Sequence, residues 1–275
     1  MLLQRILTAV PLAVLAIWFI LTQSSDALFY ALLAIIFIAG WEWAQLSGIS
    51  LIPLRLVYAA TILLATYFSY PLLQSEYLQW FKVLLGVSFT WWLYVIYRMS
   101  TGHPKASSSE FSIFKMMLGF LVLLPPVLSL VYIHQSSQGA HWLLYSIIIV
   151  WIADSGAYFS GRKYGKKKLA PSISPGKTME GLYGAIIATT IYTFSAAVYF
   201  QLDIMQTVIL LIIGFFATLI SVAGDLYISL LKRERGVKDS GSILPGHGGV
   251  LDRIDSITSS APFFALFLGV MVFNV

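Results

Sequence analysis

The sequence predicts an all-α fold: a polytopic integral membrane helix bundle of about nine transmembrane helices, with long loops gathered at one face. Three observations carry that prediction. The chain is 59% hydrophobic and 11% charged, whereas a soluble domain carries charge on about a quarter of its residues. Its mean hydropathy is +0.84. Nine apolar stretches approach the length of about 20 residues that a helix needs to cross the hydrocarbon. The cations fall almost entirely in alternate loops. There is no cysteine, which excludes disulfides, thiolate metal sites and cysteine nucleophiles.

The stretches run over 6–21, 27–46, 55–73, 79–98, 113–132, 141–159, 181–200, 204–228 and 257–274. Arg5 precedes the first, as in a signal peptide, but the run is long and the following SSDALFYA lacks a small-x-small cleavage site. It reads as an uncleaved helix. The second span ends in WEWAQL, which contains Glu42. An acid inside the membrane is a functional candidate by default, whereas one near the interface between two tryptophans can serve as an anchor. The sequence leaves both readings open. Between the fourth and fifth spans, STGHPKASSSE (100–110) reads as a Ser-rich connector.

Nine spans place Arg5, Arg55, Arg98, Lys105, Lys115, the Arg162–Lys177 cluster and the Lys232–Arg253 cluster on one side, with only Lys82 opposite. The positive-inside bias makes the rich side cytoplasmic, the amino terminus inside and the carboxyl terminus outside. The net charge of +5 is then a topology signal, and no nucleic-acid partner is expected. Residues 1–140 read as membrane scaffold. Residues 141–275 read as a catalytic part with two long cytoplasmic loops, 160–181 and 229–256.

Both loops are basic and glycine-rich, and each follows a span with an aspartate near its cytoplasmic end, Asp154 and Asp225. A carboxylate at mid-membrane costs about 2.5–3.5 kcal/mol on insertion scales, so two facing one compartment point to a shared polar cavity. Asp225, Ser229 and Lys232 are spaced i, i+4, i+7 and share a helical face. Asp252 and Asp255 are spaced i, i+3, with Arg253 between them. LPGHGG (244–249) can fold back because its glycines accept positive φ, so the two carboxylate pieces can meet. Close carboxylates repel; a divalent cation removes the conflict, and all-oxygen ligands suit Mg²⁺. Glycine N–H groups and nearby Lys and Arg can hold phosphate oxygens. The lysines at 166–168 read as a topology signal beside anionic lipid. His247 reads equally as a loop hydrogen-bonder or as an acid, base or ligand. SPGKT (174–178) ends like a P-loop but lacks its upstream glycine and strand.

SLLKRERGVKDSGSILPGHGGVLDRIDS (229–256) resembles the signature of the bacterial phosphatidate cytidylyltransferases, the CDP-diacylglycerol synthases. Ser, two residues, Lys-Arg, four residues, Lys-Asp, then Pro-x-His-Gly-Gly, Asp-Arg and Asp all stand in place. DSGAYFSGRKYGKKKLAPSISPGKTMEG (154–181) is similar to that family's second conserved block. The resemblance implies transfer of a cytidylyl group from CTP to phosphatidate, a membrane lipid, giving CDP-diacylglycerol and pyrophosphate. It implies a metal centre on Asp225, Asp252 and Asp255 with Mg²⁺ and a K⁺ beside it, and Lys232 close by. It also implies a homodimer formed through membrane helices, in the cell inner membrane. Asp154, Lys177, Ser229, Arg233, Lys238, Asp239, His247, Gly248, Gly249 and Arg253 are the matched positions available to bind substrate.

The alternative is a CTP-dependent lipid kinase on the same scaffold, told apart by its product. The DGxxAR pattern of the CDP-alcohol phosphatidyltransferases is absent from the sequence. A secondary transporter would need broken helices near the midplane and repeat symmetry, and the polar residues cluster in loops instead.

Overall fold

The structure is a computed structural model that describes residues 2–101, 111–243 and 248–272, with 2–9 and 269–272 as backbone only. His247, Lys105, the side chain of Arg5 and most of the 100–110 connector lie outside the described residues. Among the described residues nine α-helices follow one another: α1 (Leu2–Thr22), α2 (Ser25–Leu46), α3 (Ile52–Phe68), α4 (Leu78–Thr101), α5 (Ile113–His134), α6 (Gly139–Tyr164), α7 (Met179–Tyr199), α8 (Ile204–Glu234) and α9 (Leu251–Val272). Each falls on one expected span. Seven, α2 to α8, are long and apolar enough to cross a membrane, α3 being counted with the 3-10 turn Tyr70–Leu73 that extends it. The bundle wears its hydrocarbon outside: Val57, Phe68, Ile187 and Ile191 are all more than half exposed.

Local chemistry starts and stops the helices. Ser24, Ser112 and Thr178 accept the N–H of the residue three ahead to cap α2, α5 and α7, and Asp203 and Gln206 form a capping box on α8. Pro53 sits in the first turn of α3, where its missing N–H costs nothing.

The polar contacts sort the helix ends into two sets. At one, His134 on α5 meets Ser25 and the Ile20 carbonyl, while Tyr70 meets Asp26. At the other, Lys115 on α5 pairs with Glu234 on α8 at 2.7 Å, and Glu42 on α2 meets the start of α9. Alternating helices therefore bring the ends of α6 and α8 and the beginnings of α7 and α9 to this second face. Inside, Tyr227 of α8 packs against the rings of Trp43, Trp91 and Trp92.

Two boundaries and one element differ from expectation. α8 runs to Glu234 and α9 begins at Leu251, so both ends of the segment expected as a loop at 229–256 are helical, as the spacing of Asp225, Ser229 and Lys232 implied for the first. The segment expected as an open loop at 160–181 holds an antiparallel hairpin, β1 (Lys168–Ala170) and β2 (Ser174–Thr178). Its turn closes through Ile173 N–H to the Ala170 carbonyl at 3.2 Å. The hairpin is stable because it has somewhere to bury its apolar residues: Ala170 and Ile173 pack on Leu226 and Leu230 of α8. A two-stranded ribbon has only edges, so Pro175 in β2 is tolerated.

Candidate active site

The α6–α7 pair sets the first wall. Gly156, Ser160, Gly181 and Gly184 let the two helices touch; a Cβ on Gly184 would stand 1.9 Å from Ser160 Oγ. Small residues at such a crossing allow backbone contact. Thr178 both caps α7 and lies against Gly161 and Gly165. β2 thereby delivers Lys177 to the space between α6 and α8, where its ammonium meets Asp225 Oδ2 at 2.5 Å.

On α8 the expected shared face is real. Ser229 Oγ donates to Asp225 Oδ1 at 3.2 Å, one turn apart. Asp154 of α6 and Asp255 of α9 complete a carboxylate cluster: each feels the charge of Asp225 and of Lys177, Asp154 also that of Arg253, and Asp255 that of Asp154. Three helices thus supply one carboxylate each, with two cations facing them.

Asp252, one of the three aspartates of the expected metal set, has a dense set of partners. Its Oδ1 accepts from Lys232 Nζ at 2.6 Å, and its Oδ2 accepts the N–H groups of Ser240 at 2.8 Å and Gly249 at 3.0 Å. Lys232 and Asp252 side chains are only 11% and 5% exposed. A buried ion pair is tolerated when its remaining hydrogen-bonding capacity is met, and this one is. Asp252 therefore clamps the loop to α8. Asp154, Asp225 and Asp255 are hard oxygen donors with a surplus of negative charge, the donor type that suits Mg²⁺. Among the described residues, no three His, Asp or Glu side chains converge into a metal-binding group.

Glu42, left open by the sequence, enters this loop from the first half of the chain. It is 1% exposed. Its Oε2 accepts from Ser240 Oγ at 2.7 Å and from Leu251 N–H at 2.8 Å, and its Oε1 accepts Val250 N–H at 3.0 Å. The Val250 and Leu251 amides lie at the start of α9, where N–H groups lack helical partners and the helix dipole favours an anion. Cβ atoms on Gly241 or Gly249 would come within 2.4 Å of the Glu42 carboxylate. The acid explains both glycines. The flanking tryptophans anchor it, Trp43 by donating to the Lys115 carbonyl at 2.8 Å and Trp41 by lying under Arg55.

The remaining candidates divide. Arg233 Nε donates to the Ile173 carbonyl at 3.2 Å and Nη1 to the Val237 carbonyl at 3.3 Å, tying the hairpin to the end of α8. Lys238, Asp239 and Arg253 are exposed. Gly248 has φ +80, a Cβ there would lie 2.9 Å from Asp252 Oδ2, and only glycine suits both demands. The missed signal was Glu42 itself. A buried acid needs partners, but its partners stand about two hundred positions away in sequence.

A family model described as the Cytidylyltransferase family matches residues 3–271. The chain is 38% identical over 288 aligned residues to a phosphatidate cytidylyltransferase of Haemophilus influenzae, covering 97% of this chain and 98% of that protein. It is 36% identical over 275 residues to the protein of the same name from Pseudomonas aeruginosa, covering 98% and 97%. A Staphylococcus aureus phosphatidate cytidylyltransferase is 46% identical over 132 residues, about half of each chain. A match across nearly the whole length, together with a polar site built by α6, α8 and α9 at one end of a membrane bundle, leads to one conclusion: the chain belongs to the cytidylyltransferase family.

Proposed function

We infer that this chain is an enzyme that transfers the cytidylyl group of CTP to phosphatidate, releasing pyrophosphate and leaving CDP-diacylglycerol for phospholipid synthesis. The observation that carries the reading is the carboxylate cluster of Asp154, Asp225 and Asp255 with Lys177 bound into it. It stands where a lipid phosphate and a soluble nucleotide can meet. A phosphate oxygen of phosphatidate forms a bond to the α-phosphorus of CTP, and the bond to the bridging oxygen of the β-phosphate breaks. Phosphatidate is a phosphomonoester with a second pKa of about 6, so near neutrality its nucleophile is already ionised and no general base is required.

The chain's own work is positioning and charge neutralisation. Lys177, Arg253 and Lys238 hold phosphate oxygens, Ser229 orients Asp225, and the Lys232–Asp252 pair with Glu42 fixes the glycine loop. Three carboxylates alone would repel both substrates. Asp225 and Asp255 would hold a Mg²⁺, with K⁺ beside it, and the ion would supply Lewis-acid stabilisation of the phosphates.

The distribution of cations supports a cytoplasmic site in the inner membrane, with the amino terminus inside. The family resemblance supports a homodimer through membrane helices. The reaction is tested with CTP labelled at the α- or the γ-phosphate and phosphatidate in detergent. Label from the α-position should appear in lipid, with unlabelled pyrophosphate unnecessary to the reading. Label entering lipid from the γ-position would identify the lipid kinase instead.

A further inference from the structure

Beneath the carboxylate cluster, between α1, α2, α5, α6 and α9, lies a cavity of about 370 Å³. That is at the lower end of the range of about 300–1,000 Å³ for ligand pockets. Its walls are apolar; Thr258 is among them, but its hydroxyl donates to the Asp255 carbonyl at 2.6 Å. A site without free polar groups does not retain water, so hydrocarbon is the kind of occupant it suits.

The walls lead to the reactive site. On α6, Leu143, Ile147 and Trp151 line the cavity, and Asp154 follows three residues later on the same face. On α9, Ile254, Ile257 and Thr258 line it, and Asp255 lies one turn before Thr258. Two helices therefore bring hydrocarbon lining to within about one 5.4 Å turn of the carboxylates. From Leu143 to Asp154 the stripe is about 16 Å long at 1.5 Å per residue. That is about half of a 30 Å hydrocarbon core, the depth one acyl chain spans in a leaflet. At the deep end the buried Ile20 lines the cavity, and its carbonyl accepts His134 Nε2–H at 2.9 Å, with Ser25 Oγ 2.8 Å from His134 Nδ1.

We propose that this cavity is the acyl-chain site of the lipid substrate: one fatty chain of phosphatidate threads between α1, α2, α5, α6 and α9 while its phosphate meets the Asp154–Asp225–Asp255 cluster. The proposal rests on the reaction inferred above and adds where the enzyme measures its lipid. Alanines leave the space open on two walls, Ala16 on α1 and Ala31 on α2. Ala31 lies near the start of α2, toward the Ile20 end and away from the carboxylates.

The test is the ratio of kcat/KM for dioleoyl phosphatidate to that for dioctanoyl phosphatidate, measured in mixed micelles. Ala31→Phe should lower the ratio about tenfold, the effect of displacing about two methylenes, while dioctanoyl turnover stays near wild type. If Ala31→Phe yields no folded protein, Leu28→Ala decides, because it lengthens the cavity and should raise the preference for the longer chain. An unchanged ratio, or an equal fall on both substrates, means that any bilayer chain or none occupies the space, and overturns the site. A wild-type chain that forms no CDP-lipid from either substrate overturns the reaction instead.

Discussion

At the scale of single residues, two acids that a metal-centred reading would group together have different partners. Asp252 is held by Lys232 and two backbone amides, whereas Asp225 is held by Lys177 and Ser229. Their substitutions should separate. Asp252→Asn leaves the Lys232 ammonium buried and unpaired, a loss of about 3–5 kcal/mol, visible as a lower Tm in detergent. Its Mg²⁺ dependence should match wild type. Asp225→Asn or Asp255→Asn should keep Tm near wild type, remove most activity, and require more Mg²⁺ for the remainder. Raised Mg²⁺ should restore only part of it, because the phosphate is also misplaced. A Mg²⁺ titration curve for Asp252→Asn shifted like that of Asp225→Asn would return Asp252 to the metal. Glu42 makes a second contrast. Glu42→Gln turns an N–H₂ group toward donors, and hydrogen bonds to charged groups contribute about 1.5–3 kcal/mol each. The expected result is faster limited proteolysis within 238–250 and a fall in activity; wild-type cleavage of that loop would sink the assignment. The face shared by Asp225 and Ser229 was legible from spacing because a helix repeats. Glu42's partners were not, because a contact between residue 42 and residues 240–251 is a property of packing alone.

At the scale of elements, legibility follows the solvent. A bilayer demands about 20 apolar residues from every crossing, so all nine helices could be placed from hydropathy. Their polar extensions do not show in hydropathy, only in the spacing of residues such as Asp225, Ser229 and Lys232. The last turns of α8 and the first of α9 are charged, and they are helical because Lys115, Asp252 and Glu42 give them partners. The β1–β2 hairpin was hidden for a related reason: strands of three and five residues carry too little pattern, and theirs is decided by burial of Ile173 on α8. Its role can be tested through the helix it precedes. Gly184→Leu places a side chain where Ser160 already stands, forcing α6 from α7 and Asp154 from Lys177. Overpacking of this kind costs about 1–3 kcal/mol or more, so both Tm and activity should fall clearly. Gly176→Ala in β2, where a Cβ meets nothing within 4 Å, should leave both near wild type. Equal effects of the two substitutions would mean that the α6–α7 approach does not position the site.

At the scale of the whole molecule, the two polar ends of the bundle are chemically unlike, and that asymmetry supports the proposed orientation. One end carries the Lys177–Asp225, Lys232–Asp252 and Lys115–Glu234 pairs. The other is held by His134 with Ser25 and Tyr70 with Asp26. Translocating the first end would carry most of the molecule's cations through the bilayer, against the bias that retains them. A nucleotide is made and kept in the cytoplasm, so the same orientation is the one in which CTP can reach Lys177. The chain has no cysteine, and single cysteines therefore report position without background. Ser172, exposed in the hairpin turn, and Ser137, exposed between α5 and α6, mark the two ends. Ser137 is the better outer probe than Gln138, whose φ of 55 disfavours most side chains. In intact cells an impermeant maleimide should label Ser137→Cys and spare Ser172→Cys, and permeabilising the membrane should expose the second. Labelling of Ser172→Cys before permeabilisation would put the carboxylate site on the outer face, beyond cytoplasmic CTP, and both the orientation and the reaction would fall together.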